Sequence, residues 1–337
     1  MSLSRRSFLA LVPVAATSAA CGGGGPDPKA PLKLGYFPNI THATALVGVE
    51  RGLFKQELDA AGVGLETFTF NAGPAAIEAL LSGALDATYV GPNPAINAYV
   101  KSKGQGVRVI AGAATGGAYF VVKPEVAAAA DLRGKKVATP QLGGTQDVAL
   151  RTWLIGQGFK VDEFGGGDVS VTPQENGRTL EAFRSGELAG AWVPEPWATR
   201  LIAEGGGKVL VDERTLWPEG RYTTTVLLVR ADSLRARPEV IKALLRGHVA
   251  ANRWIAAESA AARDLANAAI EKITGKALPP AVIERAWQNL QFTTDPVQAA
   301  LTKSAEDAAG LGFVRLQGIE LGGLFAPELL REVEGAG

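Results

Sequence analysis

Five stretches of this chain put small, polar and aromatic side chains where a strand-like run gives way to a helical pattern. Phe37-Pro38-Asn39-Ile40-Thr41-His42 follows the first such run and Asn71-Ala72-Gly73-Pro74 the second. Gly91-Pro92-Asn93-Pro94 and Gln141-Leu142-Gly143-Gly144-Thr145-Gln146 come next, and Pro194-Glu195-Pro196-Trp197 closes "LAGAWV". The start of a helix has N–H groups without intrahelical partners and about half a positive charge. Several such starts converging on one cleft hold an anion without Lys or Arg. Ordinary capping also explains any single junction, because Asn39, Asn93 and Thr145 cap helices anywhere. Five junctions in one chain favour a shared ligand cleft at the carboxyl ends of strands.

The last junction is the most unusual. "AWVPEPWATRL" holds two tryptophans, two prolines and a glutamate. Neither a central strand nor a helix interior accepts those prolines. The reading that fits is a strand ending near Val193 and a helix opening at Pro196. Glu195 then lies at or beside the N-cap, facing the positive end of the helix.

Catalytic machinery is scarce. The chain has two histidines. His248 lies in a helical pattern and reads as a partly exposed surface residue. His42 sits at the first junction, where it either donates to a ligand or is satisfied locally. No G-x-S-x-G, G-x-x-x-x-G-K-[ST] or H-E-x-x-H occurs. Asp147 and Glu195 are the best candidates for a carboxylate pair, a weak signal from separate elements. No catalytic residue, metal site or cofactor is expected.

Composition narrows the class further. Lys and Arg balance Asp and Glu at 34 each, with no long basic run, which argues against nucleic acid as a partner. Cys21 is the only cysteine, so there is neither a disulfide framework nor a thiolate metal site. Residues 1–20 read as an export signal: a short basic start, an apolar stretch too short to span a bilayer, and small residues before a cysteine. Ser4-Arg5-Arg6-Ser7-Phe8-Leu9 resembles a twin-arginine leader. Ser18-Ala19-Ala20-Cys21 resembles a lipoprotein cleavage box with Cys21 as the lipidated residue, departing from that pattern at Ser18. The Gly- and Pro-rich 21–31 reads as a flexible tether.

The elements that must position the junctions alternate. Beyond Pro31, β-like runs ("PLKLGYF", "LDATYVG", "KKVATP", "DVSVTP") precede helical patterns, the rhythm of a mostly parallel sheet flanked by helices. "RYTTTVLLVR" is one long β-branched run, and mostly helices follow it. A weak repeat relates "ALLSGALDATYVGPNPA" at Ala79 to "AFRSGELAGAWVPEPWA" at Ala182, with Ser82-Gly83 matching Ser185-Gly186 and Leu85 matching Leu188.

"KLGYFPNITHATALVGVERGLF", "FNAGPAAIEALLSGALDATYVGPNPAINAYV", "GKKVATPQLGGTQDVALRTWL" and "GAWVPEPWATRL" together resemble the nitrate/sulfonate/taurine group of ABC-importer solute-binding proteins. The resemblance covers about Leu32 to Leu245. It implies an α/β, two-lobe periplasmic-binding-protein-like fold of type II. Lobe 1 would be 32–115 with a return over 225–337, and lobe 2 would be 116–224. Glycines 112, 116 and 117 would serve a hinge at the first crossing, with a second crossing near "RYTTTV". The implied ligand residues are Tyr36, Phe37, Asn39, Thr41 and His42, then Asn71, Gly73, Gly91 and Asn93. Thr115, Gly116, Gln141, Gly144, Thr145 and Gln146 follow. Trp192 and Trp197 would wall the cleft, and Glu195 would contact the ligand or orient a donor.

The implied role is to trap a small anionic organic solute, a sulfonate or taurine-like molecule, and deliver it to a membrane permease with its ATPase. Tyr36, Tyr119, Trp192 and Trp197 offer more organic surface than nitrate needs, and Glu195 suits an ammonium. Nitrate, bicarbonate or a pyrimidine- or flavin-type precursor is the alternative within that role. A transferase-like enzyme using His42 is the alternative outside it. The chain is expected to act as an extracytoplasmic monomer, lipid-anchored through Cys21.

Overall fold

The computed structural model describes residues 29–335, so the leader, Cys21 and the tether up to residue 28 lie outside the described residues. The chain opens with β1 (Leu32–Tyr36), α1 (Ala43–Glu50), α2 (Leu53–Ala60), β2 (Leu65–Thr69), α3 (Gly73–Leu81), β3 (Ala87–Val90), α4 (Pro92–Lys101) and β4 (Val107–Gly116). After Gly117 it enters β5 (Ala118–Val122), then β6 (Lys136–Thr139), α5 (Thr145–Gly156), β7 (Ser170–Pro173), α6 (Asn176–Arg184), β8 (Gly190–Pro194), α7 (Trp197–Ala203) and β9 (Lys208–Asp212). It returns through β10 (Thr223–Arg230), α8 (Ala231–Ala236), α9 (Pro238–Ala257), α10 (Ser259–Thr274), α11 (Pro280–Gln288), β11 (Leu290–Phe292), α12 (Gln298–Gly310) and α13 (Glu328–Gly335).

Two sheets result, ordered β11-β4-β10-β3-β1-β2 and β7-β6-β8-β5-β9. β1 pairs in parallel with β2 and β3, whereas β10 runs antiparallel between β3 and β4. The second sheet repeats the plan: β6 is parallel to β7 and β8, and β5 is antiparallel to β8 and β9. The central strands β3, β5, β8 and β10 are buried on both faces, whereas the edge strands β2 and β9 stay largely exposed. In β5 the alternation is explicit: Phe120 and Val122 join one core cluster, while Tyr119 and Val121 join the other.

The internal repeat is visible in hydrogen bonds. Ser82 Oγ donates to the Ala79 carbonyl at 3.1 Å, and Ser185 Oγ to the Ala182 carbonyl at 3.0 Å. Gly83 and Gly186 follow at φ 84° and 83°, the left-handed stop that glycine supplies after a helix. The Leu85 and Leu188 amides then return to the same two carbonyls, Ala79 and Ala182. α3–β3–α4 and α6–β8–α7 are therefore one unit used twice.

The two sheets are joined by crossings that lie side by side. The Ala118 amide donates to the Tyr222 hydroxyl at 2.9 Å, Gly116 N–H meets the Tyr222 carbonyl at 3.3 Å, and Thr224 Oγ1 donates to the Gly116 carbonyl. Gly116 and Gly117 both have positive φ, 74° and 69°. Gly112 differs from the hinge expectation. It sits inside β4 with an ordinary φ and is small because the Asp295 carbonyl packs where a Cβ would stand. His248 also differs: it is 0% exposed in α9, its Nδ1 lies 2.8 Å from the Tyr89 hydroxyl, and its other ring nitrogen meets Asn252 at 3.2 Å.

Gly117→Ala is expected to lower unfolding free energy by at least about 1–2 kcal/mol, the cost of a left-handed L-residue. The new Cβ would in addition run into the Leu290 side chain. Urea unfolding of the variant against the parent measures this; an unchanged midpoint would show that the crossing tolerates a side chain.

Candidate functional site

A cleft of about 310 Å³ lies between the carboxyl ends of the two sheets. Its walls come from the strand–helix junctions. Phe37, Asn39, Thr41 and His42 line it from the first junction, and Asn71 and Gly73 from the start of α3. Gly91 lies at the foot of α4, Gln141, Thr145 and Gln146 at the start of α5, and Trp197 at the start of α7.

Each wall has a local cause. Asn39 Oδ1 accepts from the Ile40 amide at 3.0 Å, capping a 3-10 turn over Ile40–His42. His42 is folded back beneath Phe37: the rings stack at 4.4 Å, and the Phe37 amide donates to His42 Nδ1 at 3.3 Å. Burial pushes the imidazole down to about 3, so it is neutral. With Nδ1 accepting, the proton sits on Nε2, which makes His42 a donor. A Cβ on Gly91 would stand 2.6 Å from Thr145 Oγ1, so the glycine is what lets the β3–α4 junction approach α5. A Cβ on Gly73 would likewise press on Pro94 at 2.5 Å, where the starts of α3 and α4 meet.

The electrostatics come from the backbone. Among the described residues no Lys or Arg lines the cleft, and Glu175 is its one acidic residue. None of α3, α5 and α6 has a side-chain cap bond, so their starts present bare backbone to the cleft. α4 offers least, because Pro92 and Pro94 have no N–H and the Asn93 amide goes to Thr145 Oγ1 at 3.4 Å. α5 and α6 each present successive N–H groups at the positive end of a helix dipole.

A sixth junction, absent from the sequence reading, completes the ring. Glu175, Asn176 and Gly177 at the start of α6 line the cleft, as do Phe70 and Thr224. Asn176 Oδ1 is buried with no hydrogen-bond partner, and such a group is costly unless a ligand or water meets it. The signal was available: "TPQENGR" is another strand end running into a helix, like the other five.

Seven expected residues lie elsewhere. Tyr36 is 5% exposed and packs in the core of the first sheet, because neighbours along a strand face opposite ways and Phe37 takes the cleft side. Asn93 is buried with its side chain exchanging hydrogen bonds with Ser304 of α12. Thr115 directs its hydroxyl at the Gln291 carbonyl, Gly116 forms the crossing, and Gly144 serves as the N-cap residue of α5. Trp192 lies in the core on the far face of β8, stacked on Phe120 at 5.5 Å, with Nε1 donating to Glu213 Oε2 at 2.6 Å. Tyr119, named for its organic surface, is also core.

Glu195 is the seventh. Its carboxylate accepts from the Thr199 amide at 3.1 Å and hydroxyl at 2.8 Å, so it does face the positive end of α7. It also accepts from Asn289 Nδ2 at 2.6 Å, tying α7 to the end of α11. It is 1% exposed, and burial pushes its carboxyl up. Asp147 does not pair with it: Asp147 binds Thr139 Oγ1 at 2.8 Å, the Gly143 amide at 2.9 Å and Arg151 Nε at 2.9 Å, fixing the loop that leads into α5.

Two measurements follow from these carboxylates. Glu195→Ala strands the Asn289 amide and Thr199, and is expected to cost about 1–3 kcal/mol in chemical unfolding; no loss would remove the tie between α7 and α11. Glu213 is fully enclosed and pushed up to about 7 by burial, against an ordinary 4.5. The native state then holds a proton that the unfolded chain has lost, so this group's stabilisation is lost as pH rises from 4.5 toward 7. His42 and His248, lowered to about 3 and about 4, act oppositely: stability is lost as pH falls below their ordinary 6.5. The Tm advantage of Glu213→Gln over the parent should be near zero at about pH 4 and grow by about pH 8. A pH-independent difference would show that Glu213 is not the titrating group.

A model described as the NMT1-like family matches residues 25–270. A binding protein of Brucella abortus is 26% identical over 220 residues, and that match spans 64% of this chain and 64% of the relative's length. The taurine-binding periplasmic protein of Escherichia coli K12 is 28% identical over 188 residues, 55% of each chain. The bicarbonate-binding protein CmpA of Synechococcus is 25% identical over 251 residues, 66% of this chain and 53% of CmpA. Among solved structures, the nitrate-binding NrtA of Synechocystis PCC 6803 superposes with TM-score 0.76 at 16% identity, covering 93% of this chain and 90% of NrtA. The alkanesulfonate-binding SsuA of Xanthomonas axonopodis pv. citri, bound to MOPS, superposes with TM-score 0.71 at 19% identity, covering 90% and 99%. The fold is that of the periplasmic binding proteins.

Proposed function

This chain belongs to the NMT1-like family, and on that premise we propose that it is the solute-binding component of an ABC importer. Its cargo is a small anionic organic solute, a sulfonate or taurine-like molecule, which it hands to a permease with its ATPase. The observation that carries the reading is the cleft itself: uncapped helix starts and neutral donors such as His42, with no Lys or Arg among its described lining residues, beside Phe37, Phe70 and Trp197. Such a site takes anionic oxygens on backbone N–H groups and an organic body on rings. Relatives that bind taurine and bicarbonate support the class.

The anatomy supports capture by closure. In this reading residues 32–115 and 225–335 make up one lobe and 116–224 the other, with the paired crossings as the hinge. The carboxylate available to a ligand ammonium is Glu175, since Glu195 is spent on Asn289 and Thr199. Export and lipid anchoring at Cys21 follow from the leader pattern. A nitrate, bicarbonate or heterocycle cargo is the second reading, favoured by the aromatic walls in the heterocycle case. The enzyme reading has little support, because the neutral His42 already has its Nδ1 engaged by the Phe37 amide.

Thermal shift against taurine, ethanesulfonate, nitrate, bicarbonate, a pyrimidine and a flavin tests the cargo. Saturation at 100 times Kd adds about 2.7 kcal/mol, a visible rise in Tm. Sulfonates alone should produce it, and a rise with only the heterocycles would overturn the sulfonate. By titration calorimetry, Asn176→Ala and Trp197→Ala should each weaken the best ligand about tenfold, whereas Trp192→Phe should leave its affinity unchanged.

A further inference from the structure

The cleft does not end at Trp197. A second chamber of about 270 Å³ opens beyond it, and Pro38, Trp197 and Thr274 are walls of both. One side of the chamber is α7. The other is the turn from α10 into α11, with Ile270, Ala277 and Leu278 facing it.

This turn is rigidly built. Gly275 closes α10 at φ 78°. Asn267 then clamps the Leu278 backbone from both sides, its Nδ2 donating to the carbonyl at 3.0 Å and its Oδ1 accepting from the amide at 2.8 Å. The polar groups around the chamber are largely spent on one another. Thr274 Oγ1 bonds the Ile270 and Lys276 carbonyls at 2.8 and 3.1 Å. Arg200 meets Glu204 with two bonds at 2.6 and 3.1 Å and lies 4.7 Å over the Trp197 ring. Lys276 sits at the exposed rim. What remains facing the chamber is aliphatic, prolyl and indole surface, preformed and offering a ligand few hydrogen bonds.

We propose that this chamber is a ligand subsite that takes an apolar tail, so that the cargo is an elongated amphiphile with its polar head among the helix starts and its chain passing Trp197. The inference rests on the cleft being the ligand site, but not on the head being a sulfonate. The polar groups at the chamber's edge already bond one another, so a tail gains apolar burial without breaking them, and the fixed walls cost little ordering.

Calorimetry on the protein with 1-alkyl sulfonates, carboxylates and alcohols of matched chain length, two to eight carbons, tests it. Affinity should rise by up to about fourfold per methylene on the preferred head until the chamber is full. Ala277→Trp should flatten the rise, and the milder Ala277→Leu should end it at shorter chains. A rise on carboxylates or alcohols in place of sulfonates keeps the subsite and overturns the sulfonate head. Affinity that ignores chain length on every head, or no binding by any of them, overturns the subsite. So does a rise that Ala277→Leu leaves intact, because the tail would then lie elsewhere.

Discussion

Everything in the cleft depends on how two strands cross from one sheet to the other. At Gly116–Ala118 and Tyr222–Thr224 the chain passes between sheets twice, and the two passes are hydrogen-bonded side by side. Tyr222 is central to this: its backbone serves one glycine, its hydroxyl serves the Ala118 amide, and its ring stacks on Trp217 at 5.7 Å. With positive φ at both Gly116 and Gly117, β4 turns out of one sheet and β5 begins the other within one residue. This fixes the carboxyl ends of the two sheets face to face, and with them the starts of the helices that follow.

Around that frame, acidic and neutral groups are used in two separate ways. Buried acidic side chains hold the scaffold. Asp147 joins Thr139, Gly143 and Arg151, Glu195 joins α7 to Asn289, and Glu213 accepts from Trp192. The cleft instead relies on backbone donors and neutral side chains. A lysine or arginine in the cleft would bring a stronger but less directional charge and a larger desolvation cost. Fixed N–H groups at helix starts need no reorganisation when a solute arrives.

The repeated unit explains the economy of the design. A helix, a glycine stop, a buried strand and a second helix start form one device that delivers a helix N-terminus to a sheet edge. It is used in both sheets, with matching serine and leucine hydrogen bonds. The copies diverge where they face the cleft. Gly91 makes room for Thr145, while the second copy carries Trp197 as an aromatic wall.

The alternation of elements, the repeat and the five junctions were legible in the amino-acid sequence, because each rests on local rules: periodicity, glycine stops, proline at helix starts; the division into two lobes came from the resemblance. Phe37, His42, Thr145 and Trp197 sit where strand ends meet helix starts, and the sequence determines that much. It does not determine which way a residue at such an end points. Tyr36 and Phe37 are neighbours of similar chemistry, and the pleat sends one to the core and the other to the cleft. Trp192 and Trp197 share one motif, yet Trp192 is drawn to Phe120 and to Glu213, a residue 21 positions away. Glu195 is claimed by Asn289, 94 positions on, and His248 by Tyr89, 159 positions back. Glu195 and His248 meet their partners only after the chain has crossed between sheets, and Trp192 meets its own only once β5 and β8 have paired, so the choice between core, tie and cleft is made by tertiary packing.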